Sequence, residues 1–435
     1  MIKNLKLTGV GPAPTMELEF GERLNIITGD NGLGKSFLLD TIWWALTRKW
    51  PSEVNKSLVS GKKARPQSNA ENKSIEFLFD GKTPDKAESY ESSWLPREEA
   101  WSGRPGRPAN PGLVLYAMSD GSFAVWDPAR NYWKTQNRID VQDRPPAYVF
   151  APAQIWDGLP STIKSDESFC EGLIRDWRAW QGEKNESFEL LKHVLKELSP
   201  SAGEPLEPGE LTRISKDDAR DLPTIRMPYQ QDVPIIHASA GMRRIIALAY
   251  CLVWAWQEHK EAAKLNEEEP ANQIIFLIDE IEAHLHPTWQ SSILPAMSKV
   301  FEVLNAQAKT QLITVTHSPL VMASLEPEFD LSESSKDAWF DLNLEDGKAV
   351  LSKLDFEKHG DISNWLTSEA FDQPTSRARK TQKLLDDALE LTKEGASPNK
   401  AEILEIEQKL ATALSPLDKF WPLWNYFCEK KGLHS

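Results

Sequence analysis

The feature that most constrains the fold of this chain is a glycine-rich loop near its amino terminus. The segment TGDNGLGKSF at 28–37 directly follows an apolar run at 24–27, and its residues 29–36 match the pattern G-x-x-x-x-G-K-[ST]. The residues that follow, 36–49, have the composition of a helix. Because a strand, a glycine loop and a helix in this order form a phosphate-binding loop, the chain is predicted to be an α/β protein.

This loop supplies the groups that a bound triphosphate needs. Glycines let the backbone curl so that successive N–H groups point at phosphate oxygens, and the following helix adds its positive N-terminal end. Lys35 is expected to reach the β- and γ-phosphates, and Ser36 is expected to hold Mg²⁺. The alternative is a glycine turn with an idle lysine. The residues of the loop that are predicted to bind nucleotide are Gly29, Asn31, Gly32, Gly34, Lys35, Ser36 and Phe37.

A pair of carboxylates follows a buried strand much later in the chain. The apolar run at 274–278 ends in Asp279 and Glu280. A phosphate cradle hydrolyses nothing without a metal anchor and a group that positions water. Asp279 is therefore predicted to hold the metal and its water shell, and Glu280 is predicted to polarise the attacking water. A solvated strand end is the alternative interpretation of the same two residues.

A histidine ends a second apolar strand of the same kind. The run at 311–315 leads into a Thr-His-Ser segment, and a helix predicted at 287–304 separates it from the earlier strand. This βα alternation indicates a parallel sheet with helices on its faces, so His317 falls on the same sheet edge as Asp279. His317 is predicted to hydrogen-bond the γ-phosphate, although a lone histidine at a strand end is commonly structural. The predicted catalytic residues are Lys35, Glu280 and His317.

Small residues open a long helix upstream of the carboxylates. The segment SAGMRR begins at Ser239 and leads into a helix predicted at 242–264, and a helix N-terminus favours anions. The glycine loop, this segment, the Asp-Glu strand, EAHLHP at 282–287 and Thr-His-Ser follow one another in an order that resembles the ABC-type ATPases. More narrowly, the chain is similar to the bacterial AAA-type ABC ATPases allied to the RecF, SMC and OLD families.

The resemblance implies a fold, a nucleotide and an assembly. The implied fold is an α/β ABC-type P-loop ATPase head, with a mixed or parallel sheet, flanking helices, a helical lobe and a mainly helical C-terminal extension. In this group Mg²⁺–ATP is enclosed between two subunits, so Ser239 and Gly241 would contact a γ-phosphate across a homodimer or higher homo-oligomer. The resemblance also implies that Gln154 senses Mg²⁺ and the γ-phosphate. Ala240 and Met242 depart from the transporter-like signature, so no side-chain contact from the usual glutamine is expected.

The segment at 282–287 admits two interpretations. By resemblance it is a loop that lines the interface between subunits. Glu282, His284 and His286 could instead ligate a metal, although alternate residues place both imidazole rings on one side only when the segment is extended. Interface packing is the favoured interpretation.

Shifts in composition divide the chain into four predicted parts. Residues 1–150 are predicted to be the first part of the ATPase head with a β-rich insertion, and residues 151–231 a helical lobe with loops. Residues 232–330 are predicted to complete the head. Residues 331–435 are predicted to form a C-terminal extension that docks a partner. The aromatic cluster at 420–427 is either the core of this extension or part of the docking face.

Two segments outside the motifs point to a biological role. EPEFD at 326–330 and DISNWLTSEAF at 361–371 resemble ATPase subunits of bacterial antiphage systems, among which the Septu-type and retron-associated ATPases work beside an HNH nuclease. The resemblance implies an ATP-driven switch for a separate HNH-type nuclease, with DNA as a further candidate partner. A RecF-like DNA-repair ATPase and an ATP-binding scaffold with little turnover are the alternatives. The sequence lacks the long coiled-coil arms of SMC proteins, and no DxD motif of an OLD nuclease follows His317.

Charge and cysteine use bear on the compartment. The net charge of −15 argues against a protein that coats nucleic acid over its whole surface. The basic residues at 62–65, with Arg104 and Arg107, either meet phosphates or belong to solvated loops. Three cysteines lie far apart without a CxxC pair, which is typical of the reducing cytosol. The opening MIKNLKL alternates like a strand, and no apolar run reaches the ~20 residues of a membrane span, so a cytoplasmic protein without a membrane partner is expected.

Overall fold

The computed structural model describes residues 1–80, 87–103, 110–130, 147–161, 167–330, 335–368, 370–371, 375, 377–393 and 398–433. Arg104 and Arg107, for which phosphate contacts were considered, lie outside these residues. The chain forms two compact units, residues 1–360 and residues 361–435, and the candidate site lies in the first.

The strands and helices follow one another in a mixed order along the chain. The strands are β1 (Ile2–Thr8), β2 (Thr15–Glu19), β3 (Leu24–Gly29), β4 (Ser74–Asp80), β5 (Ala87–Leu95), β6 (Ala100–Trp101), β7 (Leu113–Ala117), β8 (Phe123–Trp126), β9 (Tyr148–Phe150), β10 (Leu159–Pro160), β11 (Ser168–Cys170), β12 (Glu207–Pro208), β13 (Thr224–Arg226), β14 (Asp232–Pro234), β15 (Gln273–Asp279), β16 (Lys309–Val315), β17 (Asp337–Glu345) and β18 (Lys348–Leu354). The helices are α1 (Lys35–Thr47), α2 (Pro51–Val54), α3 (Pro152–Asp157), α4 (Leu173–Glu183), α5 (Glu186–Glu197), α6 (Ala240–Leu265), α7 (Pro287–Gln290), α8 (Ile293–Asn305), α9 (Pro319–Leu325), α10 (Ile362–Leu366), α11 (Arg379–Thr392), α12 (Lys400–Ala413) and α13 (Trp421–Lys430).

The larger sheet of the first unit has the strand order β18-β17-β3-β16-β15-β7-β8-β9. Its central strands, from β17 to β7, are parallel, whereas β18, β8 and β9 pair antiparallel with their neighbours. A parallel sheet is covered on both faces, which explains why β3, β15 and β16 carry nearly continuous apolar runs. The expected α/β head with a mixed sheet is therefore confirmed.

Helices cover both faces of this sheet. On one face, α1 shares a core with Ile275 and Leu277 of β15. On the other face, Phe276 packs edge-on against Phe301 of α8, with ring centroids 5.5 Å apart. Because neighbouring residues of β15 face opposite sides and both sides are covered, residues 274–279 are all buried, as the apolar run at 274–278 requires.

A second sheet contains the first strands of the chain. It has the order β2-β1-β4-β5-β6 and is antiparallel. The apolar run at 24–27, which was predicted to be a strand, forms β3 near the centre of the larger sheet, whereas β1 and β2 join this second sheet. Burial alternates along β4, so one face of the strand points to the core and the other to solvent. This alternation separates β1, β2 and β4 from the continuously buried β3.

The boundary predicted before residue 331 differs from the structure. β17 and β18 belong to the larger sheet, and β17 pairs in parallel with β3. The first six residues of β17 are buried although they include Asp337 and Asp341. These two carboxylates interrupt the apolar pattern by which a buried strand is recognised, which is why 331–360 was assigned to a helical extension. The compact second unit begins at Asp361.

The second unit is built from helices, as predicted for its part of the extension. Its core consists of residues from α11, α12 and α13, among them Leu385, Leu410 and Trp424. Trp424 and Phe427 face this core, whereas Leu423 and Tyr426 on the same helix are 48% and 57% exposed. The aromatic cluster at 420–427 thus supplies core and also leaves apolar surface. Among the described residues, no helix is both long and apolar enough for a membrane span.

Candidate functional site

Three parallel strands bring the predicted site residues to one edge of the larger sheet. β16 lies between β3 and β15, and its last residue, Val315, pairs with Ile27 on one side and Asp279 on the other. Each motif begins at or just after one of these paired positions. The glycine loop follows Ile27, Glu280 follows Asp279, and the segment of His317 follows Val315. Because the carboxyl ends of parallel strands meet at one edge, the three motifs lie together.

The glycine loop is shaped by close backbone contacts that only glycine permits. Gly29 has φ of 126°, and a Cβ at this position would lie 2.1 Å from the carbonyl oxygen of Leu342. Gly34 has φ of 94° and forms the cap of α1. Asn31 and Gly32 are exposed at the tip of the loop. The backbone between β3 and α1 is therefore a curled loop of the kind that cradles phosphate.

Lys35 lies inside this loop. Its Nζ donates to the carbonyl oxygens of Gly29 and Asp30 at 2.8 and 2.6 Å, and the residue is only 4% exposed. Burial lowers the pKa of Lys35, and the carboxylates of Glu280, Asp30, Asp341 and Asp279 oppose that shift. Phe37, two residues further on, packs against the core instead, and its ring contacts Gly11.

Asp279 is the buried carboxylate of the site. It is 2% exposed, and burial raises its pKa, while hydrogen bonds from Ser36 and Ser119 act in the opposite direction. Its Oδ1 is buried and has no hydrogen-bond partner among the described residues. A buried carboxylate oxygen without a partner, beside a serine hydroxyl, fits the oxygen ligands that Mg²⁺ prefers.

Glu280 and His317 lie beside each other at the same edge. The Nε2 of His317 is 3.5 Å from Oε1 of Glu280, and both side chains are about one-third exposed (29% and 37%). Glu280 has φ of 47°, a conformation that non-glycine residues seldom adopt, and its backbone N–H donates to Val315 at 3.1 Å. Burial lowers the pKa of His317 and the charge of Lys35 lowers it further. The pair is thus accessible, and the pKa of His317 lies below its usual value although the charge of Glu280 raises it.

Glu282 holds the histidine segment in place, a role that the sequence did not suggest. Its Oε1 accepts hydrogen bonds from the Thr316 hydroxyl at 2.8 Å and from the backbone N–H of His317 at 2.7 Å. The residue is 8% exposed, and burial raises its pKa. His286 instead caps α7 through Thr288. Glu282 and His286 are thus engaged in hydrogen bonds within the chain, and interface packing by this segment stays a prediction.

The predicted signature residues lie at the start of α6. Ser239 is exposed and caps the helix, with its Oγ accepting from the backbone N–H of Met242 at 3.3 Å. Gly241 is buried against the 280–286 loop, because a Cβ there would lie 2.9 Å from the carbonyl oxygen of His284. Small residues at the helix start therefore serve close packing, and they leave Ser239 accessible to another molecule.

The side chain of Gln154 makes hydrogen bonds with residues other than those of the site described so far. Its Oε1 accepts from Nδ2 of Asn55 at 2.6 Å and from the backbone N–H of Ala151 at 2.8 Å. The second of these contacts is the cap of α3. The structure thus brings together Lys35, Ser36, Asp279, Glu280 and His317, while the contacts predicted for Gln154, Ser239 and Gly241 with a nucleotide stay predictions.

Comparisons with known proteins agree with this geometry. A family model described as "AAA domain, putative AbiEii toxin, Type IV TA system" matches residues 24–323, which include every motif of the site. The chain is 21% identical to the Septu protein PtuA of Bacillus thuringiensis over 337 residues, which cover 73% of this chain and 72% of that protein.

Two further similarities cover different shares of the chain. It is 30% identical over 147 residues to the "Retron Vc95 probable ATPase" of Vibrio cholerae serotype O1 biovar El Tor, which is 33% of this chain and 26% of that protein. Among solved structures, the SMC head bound to the C-winged helix domain of ScpA matches 82% of this chain and 98% of its own, with a TM-score of 0.42 and 15% identity.

Proposed function

Because the chain belongs to the AAA-domain family whose model spans residues 24–323, we propose that it is an ABC-type ATPase that closes as a homodimer around two molecules of Mg²⁺–ATP. Family membership and the ATPase name of the retron relative make the chain an AAA-type ATPase. The pairing of two subunits and the residue roles below are our proposal. The cytoplasm is the proposed compartment.

One observation carries the proposal. The ammonium group of Lys35 lies inside the curled glycine loop, and Ser36 at the end of that loop hydrogen-bonds Asp279. Glu280 and His317 lie beside each other at the same sheet edge. A cradle, a metal anchor and a water-positioning carboxylate are the parts that phosphoryl transfer to water requires. A glycine turn with an idle lysine would not require a buried, unpartnered carboxylate oxygen beside it.

The chain's own residues divide the reaction between them. Lys35 and the N–H groups of the loop would hold the phosphates, and Ser36 and Asp279 would hold Mg²⁺. The metal, when bound, supplies positive charge that neutralises the phosphates. Glu280 accepts a proton from the water that attacks the γ-phosphorus, and ADP leaves with the electrons of the broken P–O bond. His317 donates a hydrogen bond to the γ-phosphate from the position beside Glu280.

The exposed start of α6 supports the dimer. Ser239 makes its own contact with Met242 of the same helix and presents its hydroxyl to solvent. We assign this surface to the ATP of a second subunit, and the 282–287 loop to the interface between the subunits. Gly241, which is buried against that loop, would act by holding the start of α6 in place. Gln154 then completes the site only when it leaves Asn55.

The proposed biological role is antiphage defence. One relative, matched over 73% of this chain, is a Septu protein, and another is named a probable ATPase of a retron. We infer that this chain is the ATPase subunit of such a system and controls a separate HNH-type nuclease, with DNA as the candidate trigger. We expect to find an HNH-nuclease gene beside the gene of this chain. We also expect that the two genes together protect cells in a plaque assay and that the Lys35→Ala substitution abolishes this protection. A neighbouring permease gene would contradict this role.

Steady-state release of phosphate tests the enzymatic proposal. The wild-type chain is expected to hydrolyse ATP in the presence of Mg²⁺, and Glu280→Gln is expected to lower the rate by about 10²-fold or more while ATP still binds. Glu53→Gln, at an exposed carboxylate that pairs with Lys63, is the matched control and keeps the wild-type rate. Wild-type turnover in the Glu280→Gln variant would refute the assigned role. Repeating the assay with gapped DNA separates a repair ATPase, which gapped DNA would stimulate without any nuclease.

A further inference from the structure

One arginine joins the start of α6 to the catalytic edge of the sheet. The guanidinium of Arg244 donates to the carbonyl oxygen of Ser119 at 2.8 Å and to that of Glu280 at 3.1 Å. A longer contact of 3.5 Å reaches the carbonyl oxygen of Met118. Three segments distant in sequence thus meet at one side chain, which lies five residues after Ser239 on α6.

The two carbonyls belong to residues that matter for the site. Glu280 is the residue with φ of 47°, and its N–H is already bound to the end of β16 at Val315. A strained backbone persists only when its surroundings fix it, and Arg244 holds the other end of this residue. Ser119 in turn hydrogen-bonds Asp279. Arg244 therefore contacts the backbone of Glu280 and also the backbone of Ser119, the residue that hydrogen-bonds the other site carboxylate, Asp279.

The surroundings of Arg244 do not explain it as a surface ion pair. The side chain is half-buried, and burial lowers its pKa, while Glu282, Asp279 and Glu280 raise it. Among the described residues its hydrogen bonds all go to backbone oxygens, so charge balance alone does not determine its position. A planar guanidinium can donate in several fixed directions at once, which an ammonium group cannot do.

We propose that Arg244 is a positioning residue, which holds the backbones of Glu280 and Ser119 against the start of α6. The carboxylate of Glu280 is then placed to activate water only when α6 is packed against these two segments. The inference rests on the proposed ATPase function. It concerns the chain's own active site, whereas Ser239 on the same helix is assigned to the site of a second subunit.

Arg244→Lys tests this assignment because it keeps the charge and loses the fork of donors. We expect kcat for ATP hydrolysis to fall about 10- to 100-fold, as for a slightly misplaced catalytic group, with KM changed less than about threefold. In the Glu280→Gln background, Arg244→Lys is expected to leave ATP-dependent dimerisation unchanged. A kcat within twofold of wild type, or a parallel loss of dimerisation, would overturn the proposal.

Arg48→Lys is the matched control. Arg48 is also a half-buried arginine, and it donates to the carbonyl oxygen of Ser102 at 2.7 Å. It lies at the C-terminal end of α1, whereas the glycine loop precedes the N-terminal end of that helix. Its replacement likewise removes a guanidinium that donates to a backbone carbonyl, and it is expected to leave kcat within twofold of wild type. An equal loss of kcat in both variants would mean a general structural effect and would overturn the assignment.

Mixed dimers distinguish a contact within the chain from one across the interface. With a tenfold excess of the Lys35→Ala chain, most chains that have an intact nucleotide site pair with a Lys35→Ala chain. Each such mixed dimer then hydrolyses ATP only at the intact site. Arg244→Lys in the chain with the intact site is expected to reduce turnover, whereas the same change in the Lys35→Ala chain is expected to have no effect. Loss in the second arrangement, in both or in neither would overturn the proposal. Absence of hydrolysis by the wild-type chain would instead refute the proposed function.

Discussion

Lys35 and Asp279 are buried ionisable groups beside the same loop. Burial lowers the pKa of Lys35 and raises the pKa of Asp279, so it favours the neutral form of each side chain. A triphosphate favours the ammonium form of Lys35, and a divalent cation favours the carboxylate form of Asp279. Each charged form is therefore stabilised by the component of Mg²⁺–ATP that carries the opposite charge. This coupling explains why a site for a highly charged ligand can be built inside a fold.

The first prediction concerns Lys35. Lys35→Ala is expected to abolish ATP binding in isothermal titration calorimetry, because the only ammonium group within the loop is removed, while the fold is retained. The same change at Lys192, which lies on the surface of α5 and pairs with Glu189, is the control and is expected to bind ATP as the wild type does. Undiminished ATP affinity of the Lys35→Ala variant would show that the loop does not hold the phosphates.

The second prediction concerns a carboxyl behind the loop. Asp40 of α1 is 9% exposed and accepts a hydrogen bond from the Tyr116 hydroxyl at 2.9 Å, and burial raises its pKa from 3.8 to about 7. Between these two values the folded chain binds more protons than the unfolded chain, so stability falls as pH rises through this window. The cost of ionised Asp40 is complete above pH 7 and on the order of a few kcal/mol.

Asp40→Asn removes this pH dependence. The variant is expected to gain more stability over the wild type at pH 8 than at pH 5, because the wild type must ionise the buried carboxyl at the higher pH. Urea unfolding at the two pH values measures the difference. Asp217→Asn at an exposed aspartate is the control and is expected to show no such dependence. Equal stabilisation by Asp40→Asn at both pH values would contradict the prediction.

At the scale of the element, the start of α6 is fixed by the close approach of its glycine to the 280–286 loop. A Cβ at Gly241 would meet the carbonyl oxygen of His284 at 2.9 Å, which is too short for a normal contact. The helix therefore cannot dock in the same way with a larger residue. His284 itself has φ of 65°, so the loop has little freedom to adjust.

The third prediction follows from this contact. Gly241→Ala is expected to reduce ATP hydrolysis about tenfold or more, because the α6 start and the Glu280 loop separate. Gly182→Ala is the matched control, since Gly182 lies in helix α4 with open space around its Cβ position. That change is expected to raise stability by up to about 1 kcal/mol through helix propensity and to leave the rate unchanged. Equal rates in the two variants would refute the role of this packing.

The elements that sequence predicted best are those whose pattern is local. The glycine loop, the apolar run before Asp279 and the run before His317 each identify a strand end within a few residues. The contacts of Glu282 with Thr316 and of Arg244 with Ser119 join segments that are far apart in the chain. No local pattern fixes such contacts, because they depend on strand register and on where a helix docks.

At the scale of the whole molecule, the main difference from the prediction concerns residues 331–360, which were assigned to the C-terminal extension but belong to the first unit. β17 follows the site in sequence, yet it pairs with β3, the first strand of the larger sheet. Asp341 of β17 accepts a hydrogen bond from Thr28 in that strand. The polar residue that obscured the strand in the sequence therefore has its partner more than 300 residues away, a relation that only the folded chain reveals.

The central claim is that nucleotide is enclosed between two copies of this chain. Sedimentation velocity of the Glu280→Gln variant at saturating Mg²⁺–ATP tests it most directly, because the substitution prevents hydrolysis from reopening the complex. We predict a species of twice the mass of one chain, which is absent without nucleotide and in the Lys35→Ala/Glu280→Gln double variant. A single species with the mass of one chain under all three conditions would contradict the account.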